Sequence, residues 1–253
     1  MLLIALAICS LGILQIYSAT HATPLRSAWM KQCVWVACGL FLMWVMARVD
    51  YHNLLSQVPA LYGFTLGFLL LTLVTGTFVW GSKRWIPLFF GLRFQPSELG
   101  KLVIVLLVAR YLSELRNDRL EWRDLLKLGI AVGIPAALVL AEPDMGTTLT
   151  YLPILAIGVF FGGLRWQHAV TVLVVAAVLL PAGWFLIKDY QKARLVTFLD
   201  PMKDPTGRGY QVIQSKIAVG AGGIWGKGVA RGSQTQLRFL PVAHTDFVIS
   251  AFA

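Results

Sequence analysis

An all-α polytopic membrane protein is predicted by three features of the sequence. Hydrophobic residues fill 57% of the 253 positions and charged residues only 13%, whereas a soluble domain carries about 25% charged residues. The apolar residues gather into runs of membrane-helix length, which is about 20 residues. Lys, Arg, Asp and Glu collect at the ends of those runs. Seven complete transmembrane helices and the start of an eighth follow, with a large extracytoplasmic loop between spans seven and eight.

Span one runs from about Leu2 to Tyr17. It lacks the basic n-region of a signal peptide and its apolar stretch is long for one, so it reads as a retained span. Span two lies between Lys31 and Arg48, and span three between His52 and Lys83, long enough to tilt. Span four begins near Pro96, carries Glu98 and Lys101, and ends near Tyr111. Span five lies between Lys127 and Glu142 with a kink expected at Pro135. Span six, between Asp144 and Arg165, is interrupted by Pro153, and span seven, between Arg165 and Lys188, contains Pro181. The organisation is a transmembrane bundle over 1–187, a basic, Gly-rich extracytoplasmic loop over 188–245, and the truncated start of span eight over 246–253. A bundle does not close on an unfinished helix, so the chain reads as a fragment of a longer protein. The loop's one strongly amphipathic piece, "GYQVIQSKIAVG", suits a short helix at the membrane surface.

Net charge is +10. With so few charged residues, that points to anionic lipid headgroups or an anionic lipid-linked substrate, and no nucleic-acid-reading module is present. Cys9, Cys33 and Cys38 lie in apolar runs without a Cys-x-x-Cys pair and read as small buried hydrophobes. Arg48, Arg110, Arg116, Arg119, Arg123, Lys127 and Arg165 outnumber Arg26, Lys31, Lys83, Arg84 and Arg93 on the opposite side. The positive-inside rule then places the N-terminus in the cytoplasm and the basic loop outside.

Several stretches carry candidate chemistry. "VGAGGIWGKG" is not a Walker A loop, because Ala221 stands where its first Gly belongs and Gly228 follows Lys227. Its glycines still permit close approach of a ligand, and Lys216 and Lys227 offer charge for an anion; a flexible loop with solvated lysines is the plainer reading. In "RFQPSELGKL", Pro96 suits a first helical turn, and Glu98 and Lys101 share a helical face. They form either an ion pair that fixes the helix or the wall of a cavity. Asp144 in "AEPDMGTTL" fits an N-cap; alternatively Glu142 and Asp144 help hold a divalent cation. Asp246 also suits a helix start. Its neighbours His244, Lys216, Lys227, Arg231 and Arg238 give it a second role: a carboxylate that takes a hydroxyl proton while cations hold phosphates.

"RFQPSELGKL", "EPDMGTTL", "YQVIQSKIAVGAGGIWGKG" and "FLPVAHTDF", in that order, resemble the SEDS (shape, elongation, division and sporulation) family over the whole chain. "QSKIA" and "GSQTQLRFLP" are more similar to its rod-shape branch than to its division branch. The resemblance implies a ten-span peptidoglycan glycosyltransferase of the bacterial inner membrane that polymerises lipid II, an undecaprenyl-diphosphate-linked disaccharide peptide. It implies Asp246 as the catalytic carboxylate and a divalent cation, Mg or Mn. It implies a class B penicillin-binding transpeptidase and other elongation-machinery proteins as partners. Lys216, Lys227, Glu98, Lys101, Gln214, Arg231 and His244 are the substrate-binding candidates, and Asp246 and Asp144 the metal-ligand candidates. Members of the family often carry Gln where this chain has Glu142. Two rivals stand beside this reading: a lipid II flippase, with Glu98, Lys101 and the helix prolines as a polar path, and a non-catalytic scaffold for a penicillin-binding protein.

Overall fold

The computed structural model describes residues 2–21, 23–79, 82–87, 93–115, 120–186, 189–223, 225–237, 239–240 and 245–252. The helices in chain order are α1 (Leu2–Thr20), α2 (Ala28–Met46), α3 (Tyr51–Ser56), α4 (Val58–Thr75), α5 (Pro96–Ser113), α6 (Trp122–Ala141), α7 (Met145–Phe161), α8 (Trp166–Leu186), α9 (Asp189–Leu199), α10 (Arg208–Gly222), α11 (Ser233–Gln236) and α12 (Val248–Phe252). Among the described residues α1, α2, α4 and α6 are long and apolar enough to cross a membrane; α7 and the described part of α8 are shorter apolar helices. Contacts divide the chain into one unit of residues 1–48 and 180–253 and another of residues 49–179.

In the unit of residues 49–179, α4, α5, α6 and α7 pack around Leu69, Ile104, Val108, Leu128, Val139 and Tyr151. Gly158 of α7 lies so close to the Val108 side chain of α5 that a Cβ would collide with it. A glycine here sets the helix spacing rather than a turn. The Tyr62 hydroxyl of α4 donates to the Ala131 carbonyl of α6 (2.7 Å). The α5–α6 turn is fastened twice by Asp124: it accepts from the Tyr111 hydroxyl (2.8 Å) and from the Glu121 N–H (3.0 Å).

Several expectations are corrected. Span three does not run to Lys83. After Thr75 the chain turns extended, and β1 (Thr77–Val79), β2 (Ser82–Pro87) and β3 (Arg93–Phe94) form an antiparallel sheet in the order β1-β2-β3. The helix α4 therefore has 18 residues, without surplus length for tilt. An all-α class omits this small sheet. Pro153 does not interrupt its helix, because α7 is continuous from Met145 to Phe161. None of the three cysteines is buried: Cys38 is exposed and Cys9 and Cys33 are intermediate, on helices turned largely away from protein contacts.

In the other unit, α1 packs on α2 and on α12, and α10 packs on α9, α11 and α12. Residues 189–222 are mostly helical, and "GYQVIQSKIAVG" lies within α10 as its pattern predicts. The entry to α10 is tight: Gly207 N–H donates to Asp204 Oδ1 (3.0 Å) and Gly209 N–H to the Asp204 carbonyl (3.0 Å). The start of the last helix falls at Val248, two residues beyond Asp246.

Candidate active site

The predicted site residues fall into the two units. In the unit of residues 1–48 and 180–253, Asp246 is exposed just ahead of α12. Ala251 N–H already donates to the Phe247 carbonyl (3.0 Å), so helical structure begins immediately after it. Across from α12, α10 carries Gln214, half-buried, and Lys216, exposed. Ser215, between them, meets Ser250 of α12 hydroxyl to hydroxyl at 2.6 Å. A hydrogen bond thus ties the helix that follows the carboxylate to the helix that bears the lysine.

Beyond α10 the backbone needs glycine. Gly223 has φ 62° and ψ −148°, a region essentially closed to residues with a Cβ. Gly226 and Gly228 also have positive φ (68° and 92°). This segment bears Lys227, exposed, and Arg231, exposed, whose N–H donates to the Gly228 carbonyl (3.2 Å). It is anchored on α1, where Ala230 N–H donates to Ser18 Oγ (2.8 Å) and Gln236 Nε2 to the Ser18 carbonyl (3.0 Å). His244 and Arg238 lie outside the described residues.

In the unit of residues 49–179, Pro96 sits in the first turn of α5, and Lys101 Nζ is 2.8 Å from Glu98. Glu98 is 56% exposed and Lys101 29%. The acid lies in the first helical turn, where the helix dipole favours it. The pair is therefore made, on a face that water or lipid headgroups reach.

Asp144 is the centre of a buried polar cluster. It caps α7, accepting from Thr147 N–H at Oδ1 (3.2 Å) and from Thr147 Oγ1 at Oδ2 (2.9 Å). Gln95 Nε2 donates to Oδ2 at 3.1 Å, and the Arg84 guanidinium of β2 is 3.2 Å from the same oxygen. Tyr151 Oη donates to the Ser97 carbonyl (3.3 Å), and Gly100 leaves the space that this hydroxyl occupies. Glu142, 1% exposed, sits beside this cluster with neither carboxylate oxygen hydrogen-bonded. Burial first, then the Asp144 charge, pushes its carboxyl up to about 7, against the opposing pull of Arg84. Sequence reasoning found the cap and missed Arg84, Gln95 and Tyr151. The Asp-x-x-Thr spacing announces a cap, but a guanidinium sixty positions upstream leaves no local signal.

Divalent-cation binding can be tested against these donors. The Asp144 oxygens are already taken by Thr147, Gln95 and Arg84, which does not fit a metal ligand. Among the described residues no three His, Cys, Asp or Glu side chains gather as a metal site. Asp246, exposed, fits the remaining mode, in which Mg is held by one or two carboxylates plus substrate phosphates.

Comparison with known proteins matches all of residues 1–253 to the FtsW/RodA/SpoVE model, described as cell cycle protein. Peptidoglycan glycosyltransferase MrdB of Escherichia coli K12 is 37% identical over 257 residues, covering 100% of this chain and 68% of that protein. Probable peptidoglycan glycosyltransferase FtsW of Geobacter sp. strain M18 is 34% identical, covering 98% and 70%. Peptidoglycan glycosyltransferase RodA of Treponema pallidum is 31% identical, covering 99% and 75%. Among solved structures, a chain from work on the structural coordination of polymerization and crosslinking by a peptidoglycan synthase complex superposes with TM-score 0.73 at 33% identity, covering 86% of this chain. RodA of Thermus thermophilus superposes with TM-score 0.59 at 29% identity, covering 70% of this chain. The chain spans 68% of MrdB and 63% and 57% of those two solved chains. It belongs to the FtsW/RodA/SpoVE cell cycle protein family.

Proposed function

We propose that this chain carries out peptidoglycan glycosyl transfer in a bacterial inner membrane, polymerising lipid II into glycan strands for rod elongation. A sugar hydroxyl of one lipid-linked disaccharide attacks the anomeric carbon of another. The new glycosidic bond forms as the bond to the diphosphate breaks, and the polyprenyl diphosphate leaves with the bonding electron pair. Asp246 takes the proton of the attacking hydroxyl. Lys216 and Lys227, with Gln214 and Arg231, meet the negative charge that collects on the leaving diphosphate. Asp246 would be the residue to hold a Mg or Mn ion, which would supply further neutralisation of that charge. His244 and the Glu98–Lys101 pair complete the proposed substrate-binding set, and a class B penicillin-binding transpeptidase is the proposed partner.

The observation that carries this reading is the exposed Asp246 carboxylate at the head of a helix hydrogen-bonded, through Ser250 and Ser215, to the helix bearing Lys216. General-base catalysis contributes roughly 10²–10⁴-fold. Asp246→Asn should therefore lower polymer yield from lipid II by about that factor at unchanged unfolding temperature. Undiminished polymer from this variant sinks the catalytic assignment. Supplying lipid II already on the outer side separates polymerisation from transport, because a flippase forms no polymer from it.

A further inference from the structure

The buried residues of α1 crowd its C-terminal end: they are Gln15, Ser18, Ala19 and Thr20, whereas Leu2 to Ile8 are all exposed. There two consecutive residues touch both halves of the proposed chemistry. Ser18 Oγ accepts from Ala230 N–H (2.8 Å) and the Ser18 carbonyl from Gln236 Nε2 (3.0 Å), which fastens the segment that bears Lys227 and Arg231. That carbonyl is one of the four that a helix end leaves without an intrahelical partner. Ala19, 5% exposed, packs against Leu240, with Phe247 and Ala251 beside them. Phe247 follows Asp246 directly.

The backbone that Ser18 holds is unusual. Ala230 has φ 58°, in the left-handed region that a Cβ disfavours. A non-glycine residue persists there only where its surroundings over-determine it. The contact to the Ala230 N–H comes from 212 positions upstream. Ser18 thus supports a shape that the local sequence does not hold by itself.

We propose that Ser18 is a positioning residue for glycosyl transfer: its Oγ and its carbonyl fix the Lys227–Arg231 segment in register with the turn that carries Asp246. It acts through those side chains and not on the substrate. The first span thereby sets the spacing between the cations that meet the leaving diphosphate and the carboxylate that takes the proton. Charge on the diphosphate grows toward the transition state. Loosening the segment therefore lowers kcat and leaves KM for lipid II nearly unchanged.

This role rests on the glycosyltransferase reading, and its test has one arm that does not. With the full chain in nanodiscs, hydrogen exchange is followed at residues 226–231, and kcat and KM are measured with lipid II. Ser18→Ala leaves the Ala230 N–H without its acceptor. Exchange at 226–231 should quicken about tenfold and kcat should fall about tenfold at unchanged KM, the worth of one hydrogen bond. Adding Ala230→Gly to Ser18→Ala should recover much of the rate, because glycine adopts φ 58° freely. A general loss of stability gives no reason for that rescue, and a double variant no faster than Ser18→Ala overturns the role. Should Ser18→Ala fail to fold, Gln236→Met removes the second bond and is read in the same way. Exchange at the parent rate overturns the contact, whatever the activity. Faster exchange with the parent kcat overturns the positioning role, as does a loss of rate carried by KM. A parent chain that makes no polymer rejects the glycosyltransferase reading and the positioning role with it, while exchange still decides the contact.

Discussion

Glu142 carries two carboxylate oxygens into the protein interior, and neither meets a hydrogen-bond donor. Its ordinary value of 4.5 is pushed up to about 7 by burial and by the Asp144 charge. The folded protein thus holds this proton more tightly than the unfolded chain. The sign follows from linkage: between those two values the native state binds more protons, so stability falls as pH rises from about 4.5 through 7. Glutamine has the same shape and no charge to desolvate. Glu142→Gln should therefore stabilise the protein by about 1–3 kcal/mol at pH 8 and change it little near pH 5. Thermal unfolding in detergent across that range checks it. A variant whose melting curve tracks the parent at every pH would mean that the carboxyl finds a partner in solution.

At the scale of elements, Asp144 joins three of them: it caps α7, receives Gln95 from the entry to α5 and pairs with Arg84 of β2. Its side chain is 5% exposed, and breaking a buried ion pair by removing one partner costs about 3–5 kcal/mol. Asp144→Ala should lose that much. Asp144→Asn should lose less, because Asn caps helices nearly as well as Asp but cannot pair with a guanidinium. Urea or thermal unfolding in detergent ranks the two, and equal losses would remove the ion pair from the account. These elements also show what was legible beforehand. Apolar runs closed by charges located α1, α2, α4, α6 and α7, because in a membrane hydropathy and span length are the same constraint. The cap at Asp144 and the Glu98–Lys101 pair followed from spacings of three within one helix. The sheet over 77–94 was hidden because "FVW" and "WIPLFF" are as apolar as a helix, and composition alone does not separate the two. Within 188–245 the amphipathic pattern announced α10, whereas α9 was hidden because "DYQKARLVTFL" is too short and polar for a span, and only Gly223 onward needs unusual backbone.

For the whole molecule, the decisive quantity is the side of the membrane on which Asp246 stands. The Lys and Arg census between spans predicts residues 110–127 in the cytoplasm and 188–245 outside. Of the four helices from α6 to Met202, α9 has only 11 residues and carries Asp189, Lys192 and Arg194, so α6, α7 and α8 are the expected crossings, and an odd number of them is expected to put Arg123 and Met202 on opposite faces. Arg123 begins α6 and is exposed; Met202, 69% exposed, lies in the short turn after α9. With Cys9, Cys33 and Cys38 replaced by alanine, Met202→Cys should react with a membrane-impermeant maleimide in intact spheroplasts, and Arg123→Cys only after lysis. The reverse pattern puts Asp246 with the cytoplasmic pool and removes polymerisation outside the cell from its reach. Labelling of both from one side means that α7, only 17 residues long and about 26 Å at 1.5 Å per residue, or one of its neighbours does not cross. A helix of that length just matches a hydrocarbon core of about 30 Å if the bilayer thins locally or its ends are satisfied at the interface. The Asp144 cap and its Arg84 and Gln95 partners supply that satisfaction at one end. The labelling pattern therefore tests the orientation of the face on which Asp246 is proposed to act.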